Sequence, residues 1–279
     1  MEFEQLEPDL QEWIRDAVRR GLQAQAIVDT LLSAGYPQRV SDAVDQYFLG
    51  RQGESRAAPP LRCSLSRWQA STLSTSDREV QILLQLRKPR VALFGNLLSE
   101  RECDELIALS RPRIKPSRVV NRDSGSRDIH PQRTSSGAYF RCGATSLIQR
   151  IERRISDLLS VPVSRGEGLQ VLNYLPGAEY KPHYDYFDPD SPGFEKVLKK
   201  GGQRFATLII YLNDVQAGGS TTFPEVGLDI LPRKGHGLFF SYCDAAGNLD
   251  ELTLHGGSPV VAGEKWIATK WLRLGDYTG

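Results

Sequence analysis

His183 and Asp185, in Lys181-Pro182-His183-Tyr184-Asp185-Tyr186, set an imidazole and a carboxylate two residues apart. In an extended strand, residues two apart point to the same side. Such a pair offers two ligands to a metal, and one further ligand would complete a three-point face. Two histidines and one carboxylate, with the opposite positions open, suit Fe(II) that activates oxygen. The chain has only 4 His. His255, in Thr253-Leu254-His255-Gly256-Gly257, ends a predicted strand and is the best third ligand. His236 falls in a Lys-Gly-His-Gly turn and His130 in a polar loop, and both are read as non-ligands.

Ten residues beyond His255 stands Lys265. The strand it opens has one parity with Lys265, Ile267, Thr269 and Trp271, and another with Trp266, Ala268, Lys270 and Leu272. In a closed barrel one of these faces is interior. An interior lysine without a counter-ion is costly, and a dicarboxylate co-substrate would remove that cost. Its 2-oxo acid end would chelate the metal, and its far carboxylate would meet Lys265 with help from hydroxyls such as Thr221 or Tyr174. The opposite parity would leave Lys265 as ordinary surface charge.

The elements that must carry these groups fall into three parts. Residues 1–50 show apolar spacings of three and four (Leu10, Trp13, Ile14, Val18; then Ala26, Ile27, Leu31, Leu32; then Val44, Tyr47, Phe48 behind Ser41) and predict a three-helix module. Its expected role is to bind a partner or to self-associate. Residues 51–88 open with Arg, Gly, Ser, Ala and Pro-Pro, which read as a linker, and continue as a lead-in without a clear signal. Residues 89–279 carry the chemistry. Ser99 with Glu102 makes a capping box ahead of Leu106, Ile107 and Leu109, and Thr145 to Leu159 is strongly amphipathic. Short strands separated by Gly and Pro turns then predict a sandwich or jelly roll. The fold class expected is α+β, a double-stranded β-helix with packing helices behind a small helical module.

Composition limits the alternatives. With 35 basic and 34 acidic residues and 40% hydrophobic content, the chain gives no global argument for nucleic acid as a partner. The 4 Cys stand singly without a CxxC pair, which argues against a zinc knuckle or disulfide framework. No apolar run is long enough to span a bilayer, so no membrane partner is expected and a cytoplasmic location is predicted.

Several blocks together resemble one family. They are Tyr174-x-Pro176-Gly177, Tyr180-x-x-His183-x-Asp185-Tyr186-Phe187, Gly201-Gly202-Gln203-Arg204, Tyr211-Leu212-Asn213-Asp214, Gly218-Gly219-Ser220-Thr221-Thr222-Phe223-Pro224, and His255-Gly256-Gly257 through Trp271. In order and spacing they are similar to the 2-oxoglutarate/Fe(II) prolyl 4-hydroxylases of the collagen type, from about Pro89 to Leu274. The resemblance implies a jelly-roll dioxygenase that couples proline hydroxylation in a peptide or protein to conversion of 2-oxoglutarate and O2 into succinate and CO2, with ascorbate as reductant. It implies iron at His183, Asp185 and His255, the distal carboxylate of 2-oxoglutarate at Lys265, Tyr174 and Thr221 beside it, and Trp271 as a wall. It places Arg133, Ser135 and Arg204 on the substrate side, with residues 119–132 as a lid. Two other readings of the same residues are an oxygenase of a free amino acid or small molecule, and a binding module without turnover.

Overall fold

The computed structural model describes residues 3–19, 24–37, 39–40, 43–44, 68, 70–117, 119–120, 127–128, 134–243 and 248–279. The chain divides into two compact units, one comprising Met1–Pro60 and Ala245–Asn248 and one comprising Leu61–Asp244 and Leu249–Gly279.

In the first unit, helices span Pro8–Arg19 and Ala24–Ser33, and residues 39–40 and 43–44 are also helical. Ile14, Ala17, Ile27, Leu31, Val40, Ala43 and Val44 make a small core of their own. Trp13 and Leu32, placed on the apolar stripes by spacing alone, are 37% and 40% exposed. The stripe of so short a helix is narrow, so residues at its margin stay wet. Ser41, Tyr47 and Phe48 lie outside the described residues, so the third helix remains an expectation.

The second unit mixes helices with a large antiparallel sheet. Nine strands run in spatial order Thr72–Ser74, Glu79–Leu86, Arg90–Gly95, Gly237–Ser241, Arg204–Tyr211, Lys265–Arg273, Leu169–Tyr174, Ser136–Phe140 and Lys115–Pro116. The first two come from the stretch that the sequence left as a lead-in, so a boundary at residue 89 cuts through this sheet. Leu228–Ile230, Thr221–Phe223, His255–Gly257 and Tyr180–His183 form a second sheet of four strands. The arrangement is consistent with a jelly-roll core.

Side-chain alternation sorts the large sheet into two faces. Ala206, Leu208 and Ile210 join Trp266, Ala268 and Leu272 in a core shared with Leu106, Leu147, Ile148, Ile151 and Ile155 of the helices Glu100–Ser110 and Ser146–Leu159. Ile209, Tyr211 and Ile267 face the other way and meet Phe223 and Ile230 of the smaller sheet. The central strand Arg204–Tyr211 is buried along its whole length because both faces are covered.

Both helices begin where the sequence predicts. The Ser99 hydroxyl accepts from the Glu102 N–H while the Glu102 carboxylate accepts from the Ser99 N–H, the reciprocal box that satisfies two end donors. Thr145 caps the second helix by accepting from the Ile148 N–H. The two helices are tied by Arg154, 2% exposed, whose guanidinium donates to Glu102, to Asp77 and to the Leu97 carbonyl.

Candidate active site

Strand pairing in the smaller sheet assembles the first part of the site. His183 stands directly opposite His255 across the ladder, and their rings lie 4.4 Å apart. The strand stops at His183, and Asp185 occupies a bend just beyond it rather than a continuing strand. The bend turns the carboxylate inward between the two rings. Its Oδ1 lies 3.6 Å from His183 Nε2 and its Oδ2 3.5 Å from His255 Nε2. Among the described residues, His183, Asp185 and His255 form the one group whose ligand atoms converge, all within 4.8 Å.

The supporting contacts orient these ligands. His183 Nδ1 donates to the Lys181 carbonyl at 2.9 Å, and His255 Nδ1 donates to the Thr253 carbonyl at 3.0 Å. With the Nδ1 protons so placed, each Nε2 lone pair is free for a metal. The Thr207 hydroxyl donates to Asp185 Oδ2 at 2.7 Å and stands 3.3 Å from the Tyr242 hydroxyl. Burial pushes the Asp185 carboxyl up, but the His255 and His183 imidazoles outweigh this and hold it well below the usual carboxylate range. Burial, with His255 alongside, pushes His183 down to about 4. A charged Asp185 carboxylate beside a neutral His183 imidazole suits a divalent metal.

Lys265 faces the interior, on the same parity as Ile267. It pairs across the sheet with Tyr174. It is 3% exposed, and its amine makes no hydrogen bond or ion pair among the described residues. Its Nζ lies 5.6 Å from the Tyr174 ring centre and 5.9 Å from that of Tyr211. Burial pushes the amine down to about 7. Tyr211 donates its hydroxyl to Thr221 Oγ1 at 2.9 Å, which leaves the Thr221 proton available to another acceptor. Lys265, Thr221, Tyr174 and Trp271 line the same cleft as His183, Asp185 and His255, a space of about 410 Å³ that opens to solvent. An unpaired buried cation facing three metal ligands is the environment a metal-chelating dicarboxylate would satisfy.

The residues expected on the substrate side fare differently. Arg204 is buried behind the cleft: it donates to Glu167 from Nε at 2.6 Å and to the Asp185 carbonyl from Nη1 at 3.2 Å, and it lies over the Trp271 ring at 4.1 Å. These contacts support the site from behind, a place that the expectation of a substrate contact did not include. Ser135 is buried and donates to Ser117. Arg133 and His130 lie outside the described residues. Of the expected lid, Val119–Val120 and Arg127–Asp128 pair as a short ribbon.

Thr207, Glu167 and Tyr242 escaped the sequence reading. Glu167 joins Arg204 and Arg273, whose Nε donates to Glu167 Oε1 at 2.7 Å. Burial pushes its carboxyl up, but the Arg204 and Arg273 guanidiniums hold it below the usual value. Thr207, the one aliphatic hydroxyl in the apolar run Phe205–Leu212, is the available signal, since a hydroxyl in a fully buried strand needs a partner.

A two-histidine, one-carboxylate face beside a buried lysine, between antiparallel sheets, defines the site of a 2-oxoglutarate/Fe(II)-dependent oxygenase. The model of the 2OG-Fe(II) oxygenase superfamily matches residues 169–273. The chain is 41% identical over 209 residues to probable prolyl 4-hydroxylase 3 of Arabidopsis thaliana, covering 68% of this chain and 71% of that one. It is 38% identical over 185 residues to human prolyl 4-hydroxylase subunit alpha-1, covering 66% of this chain and 34% of that larger one. Viral collagen prolyl hydroxylase from Paramecium bursaria Chlorella virus-1, solved with 2OG, superposes with a TM-score of 0.51 at 31% identity, covering 65% of this chain and 94% of that one. The chain belongs to the prolyl 4-hydroxylase family and is a 2-oxoglutarate- and Fe(II)-dependent dioxygenase.

Proposed function

We propose that the protein hydroxylates a prolyl residue within a peptide or protein, coupled to decarboxylation of 2-oxoglutarate to succinate and CO2. The observation that carries this reading is the convergence of His183, Asp185 and His255 on one side of a cleft whose other side presents the unpaired Lys265. His183, Asp185 and His255 would hold Fe(II), which supplies the oxidising chemistry when bound. Lys265 and the Thr221 hydroxyl would take the far carboxylate of 2-oxoglutarate, with the Tyr174 ring alongside and Trp271 closing the wall. Ile209, Ile267 and Leu172 keep the floor of the cleft apolar and exclude water from the reacting carbon. The His183 side chain, 18% exposed, stands where the cleft meets solvent, and a chain segment would enter there.

The core that carries this chemistry is a jelly roll, extended by the hairpin from residue 72, and residues 1–50 are a three-helix module that recruits a partner or self-associates. Ascorbate is the expected reductant. A cytoplasmic location is the expectation from cysteines that stand singly in the sequence.

The test is 2-oxoglutarate turnover with Fe(II) and ascorbate, with and without proline-rich peptides, followed by mass analysis. Peptide-stimulated succinate with a gain of one oxygen on proline is expected. Turnover that no peptide stimulates, with a free amino acid hydroxylated instead, would replace the peptide reading.

The lysine also makes a pH prediction. A bound carboxylate raises the Lys265 pKa from its depressed value, so above about pH 7 binding must draw a proton from solvent. Affinity for 2-oxoglutarate should therefore decline as pH rises through that region, with proton uptake visible by calorimetry in buffers of different ionisation enthalpy. Constant affinity and no uptake would assign the carboxylate to another group.

A further inference from the structure

The central strand Arg204–Tyr211 ends on either side in a residue with a side-chain amide, and each amide grips a different part of the site. Backbone pairing with the Lys265–Arg273 strand runs from Arg204 opposite Arg273 to Tyr211 opposite Ile267, and a last backbone bond joins the Leu212 N–H to the Trp266 carbonyl at 2.9 Å. Past the second end, Asn213 continues the ladder with its side chain. Its Oδ1 accepts from the Trp266 N–H at 2.7 Å, and its Nδ2 donates to the Glu264 carbonyl at 2.8 Å. Lys265 lies between those two peptide groups. On its other flank the backbone is held by the pairing with Tyr174. Among the described residues the Lys265 amine makes no hydrogen bond or ion pair, so the direction of its long side chain depends on where its Cα is held.

The first end repeats the device on the metal side. Gln203 Oε1 accepts from the Phe187 N–H at 2.8 Å, and Nε2 donates to the Phe187 carbonyl at 2.7 Å. The same Oε1 accepts from the Arg204 N–H at 2.9 Å, which fixes the amide plane. Phe187 is two residues beyond Asp185, in the irregular segment that follows the end of the Tyr180–His183 strand. No ladder partner holds Asp185 in place there. Its carbonyl takes the Arg204 guanidinium, and its continuation is pinned by Gln203. Asn and Gln side chains present a donor and an acceptor side by side as a peptide group does, which is why they can stand in for a missing strand.

We propose that Gln203 and Asn213 are two separable positioning residues: Gln203 sets the Asp185 carboxylate for the metal, and Asn213 sets the Lys265 amine for the far carboxylate of 2-oxoglutarate. This rests on the roles proposed above for Asp185 and Lys265. Neither amide touches a ligand. Each acts through the backbone of the residue that does, and one rigid strand keeps the two at a fixed separation, so a guest that chelates the metal reaches the lysine at the same time.

The test uses the full chain with Mn(II), which does not turn over, and reads two binding constants by calorimetry: Mn(II) for the apoprotein, and 2-oxoglutarate for the Mn(II)-saturated protein. Asn213→Ala should weaken 2-oxoglutarate about tenfold and leave Mn(II) affinity unchanged. Gln203→Ala should weaken Mn(II) about tenfold and leave 2-oxoglutarate affinity at saturating metal unchanged. Asn213→Asp and Gln203→Glu, which keep size and acceptor but lose the donor, should move the same constants in the same direction by less, and they carry the test if an alanine variant does not fold. Both constants moving together in both variants, or neither moving, overturns the proposal. Lys265→Met and Asp185→Asn serve as references. If they leave their own constants untouched, the site assignment fails; if they respond and the amide variants do not, only the positioning claim fails.

Discussion

Asp185→Asn is expected to abolish Fe(II) binding at the site and, with it, succinate formation. The carboxylate is the single anionic ligand in the group, equidistant from the two Nε2 atoms to within 0.1 Å, at 3.6 and 3.5 Å. Losing it removes one of three donors and the only negative charge, which exceeds the roughly 10–100-fold loss that follows from disturbing an outer partner of a ligand. Asparagine keeps the volume, and its carbonyl still accepts from Thr207, so the fold should survive. His183→Ala should have the same outcome. Dissociation constants for Fe(II) or Mn(II), measured beside a thermal melt, separate loss of metal from loss of structure. Normal turnover in either folded variant would end the assignment.

Lys265→Met should raise the 2-oxoglutarate requirement by about a hundredfold or more while leaving metal affinity alone. Removing one partner of a buried charge pair costs on the order of 3–5 kcal/mol. The apoprotein should behave in the opposite sense. There the amine is buried without an ion-pair partner among the described residues, so replacing it by an isosteric apolar chain removes an unfavourable term and should hold or raise the melting temperature. Weaker 2-oxoglutarate binding in a protein of equal or greater stability is therefore the signature of a co-substrate lysine. Unchanged 2-oxoglutarate dependence would move the carboxylate to another cation.

What could be read without the structure was local. Ser99 with Glu102, and Thr145 with the stripe through Leu147, Ile151 and Ile155, are satisfied within a helical turn or two, so the sequence carries the whole signal. His183 and Asp185 were also close enough to be found as a pair, and His255 followed because so few histidines compete. The reason given for the pair was incomplete. The alternation of a strand accounts for His183, but Asp185 reaches the centre through a bend that begins where the ladder to His255–Gly257 ends. The hairpin of residues 72–86 was missed because it gains order only by pairing with Arg90–Gly95, which is itself held by Gly237–Ser241 from far along the chain.

Arg204 shows the same limit from the other direction. The resemblance implies a contact with the substrate peptide, while its surroundings in the fold are decided by Glu167, Trp271 and Asp185, from three separate segments. Gln203 and Asn213 carried no chemical signal at all as single amides in a string of motifs. They gain meaning only where two strands stop pairing and a side chain takes over the backbone's hydrogen bonds. By itself, then, the sequence determined the ligand types, the candidate lysine and the helices, because these depend on residue identity and short-range periodicity. The tertiary structure alone decided which parity of the Lys265 strand faces inward, how Asp185 turns to the metal side, and what holds both in place. Those are set by burial and hydrogen-bond partners that come together only when distant strands close around a common core.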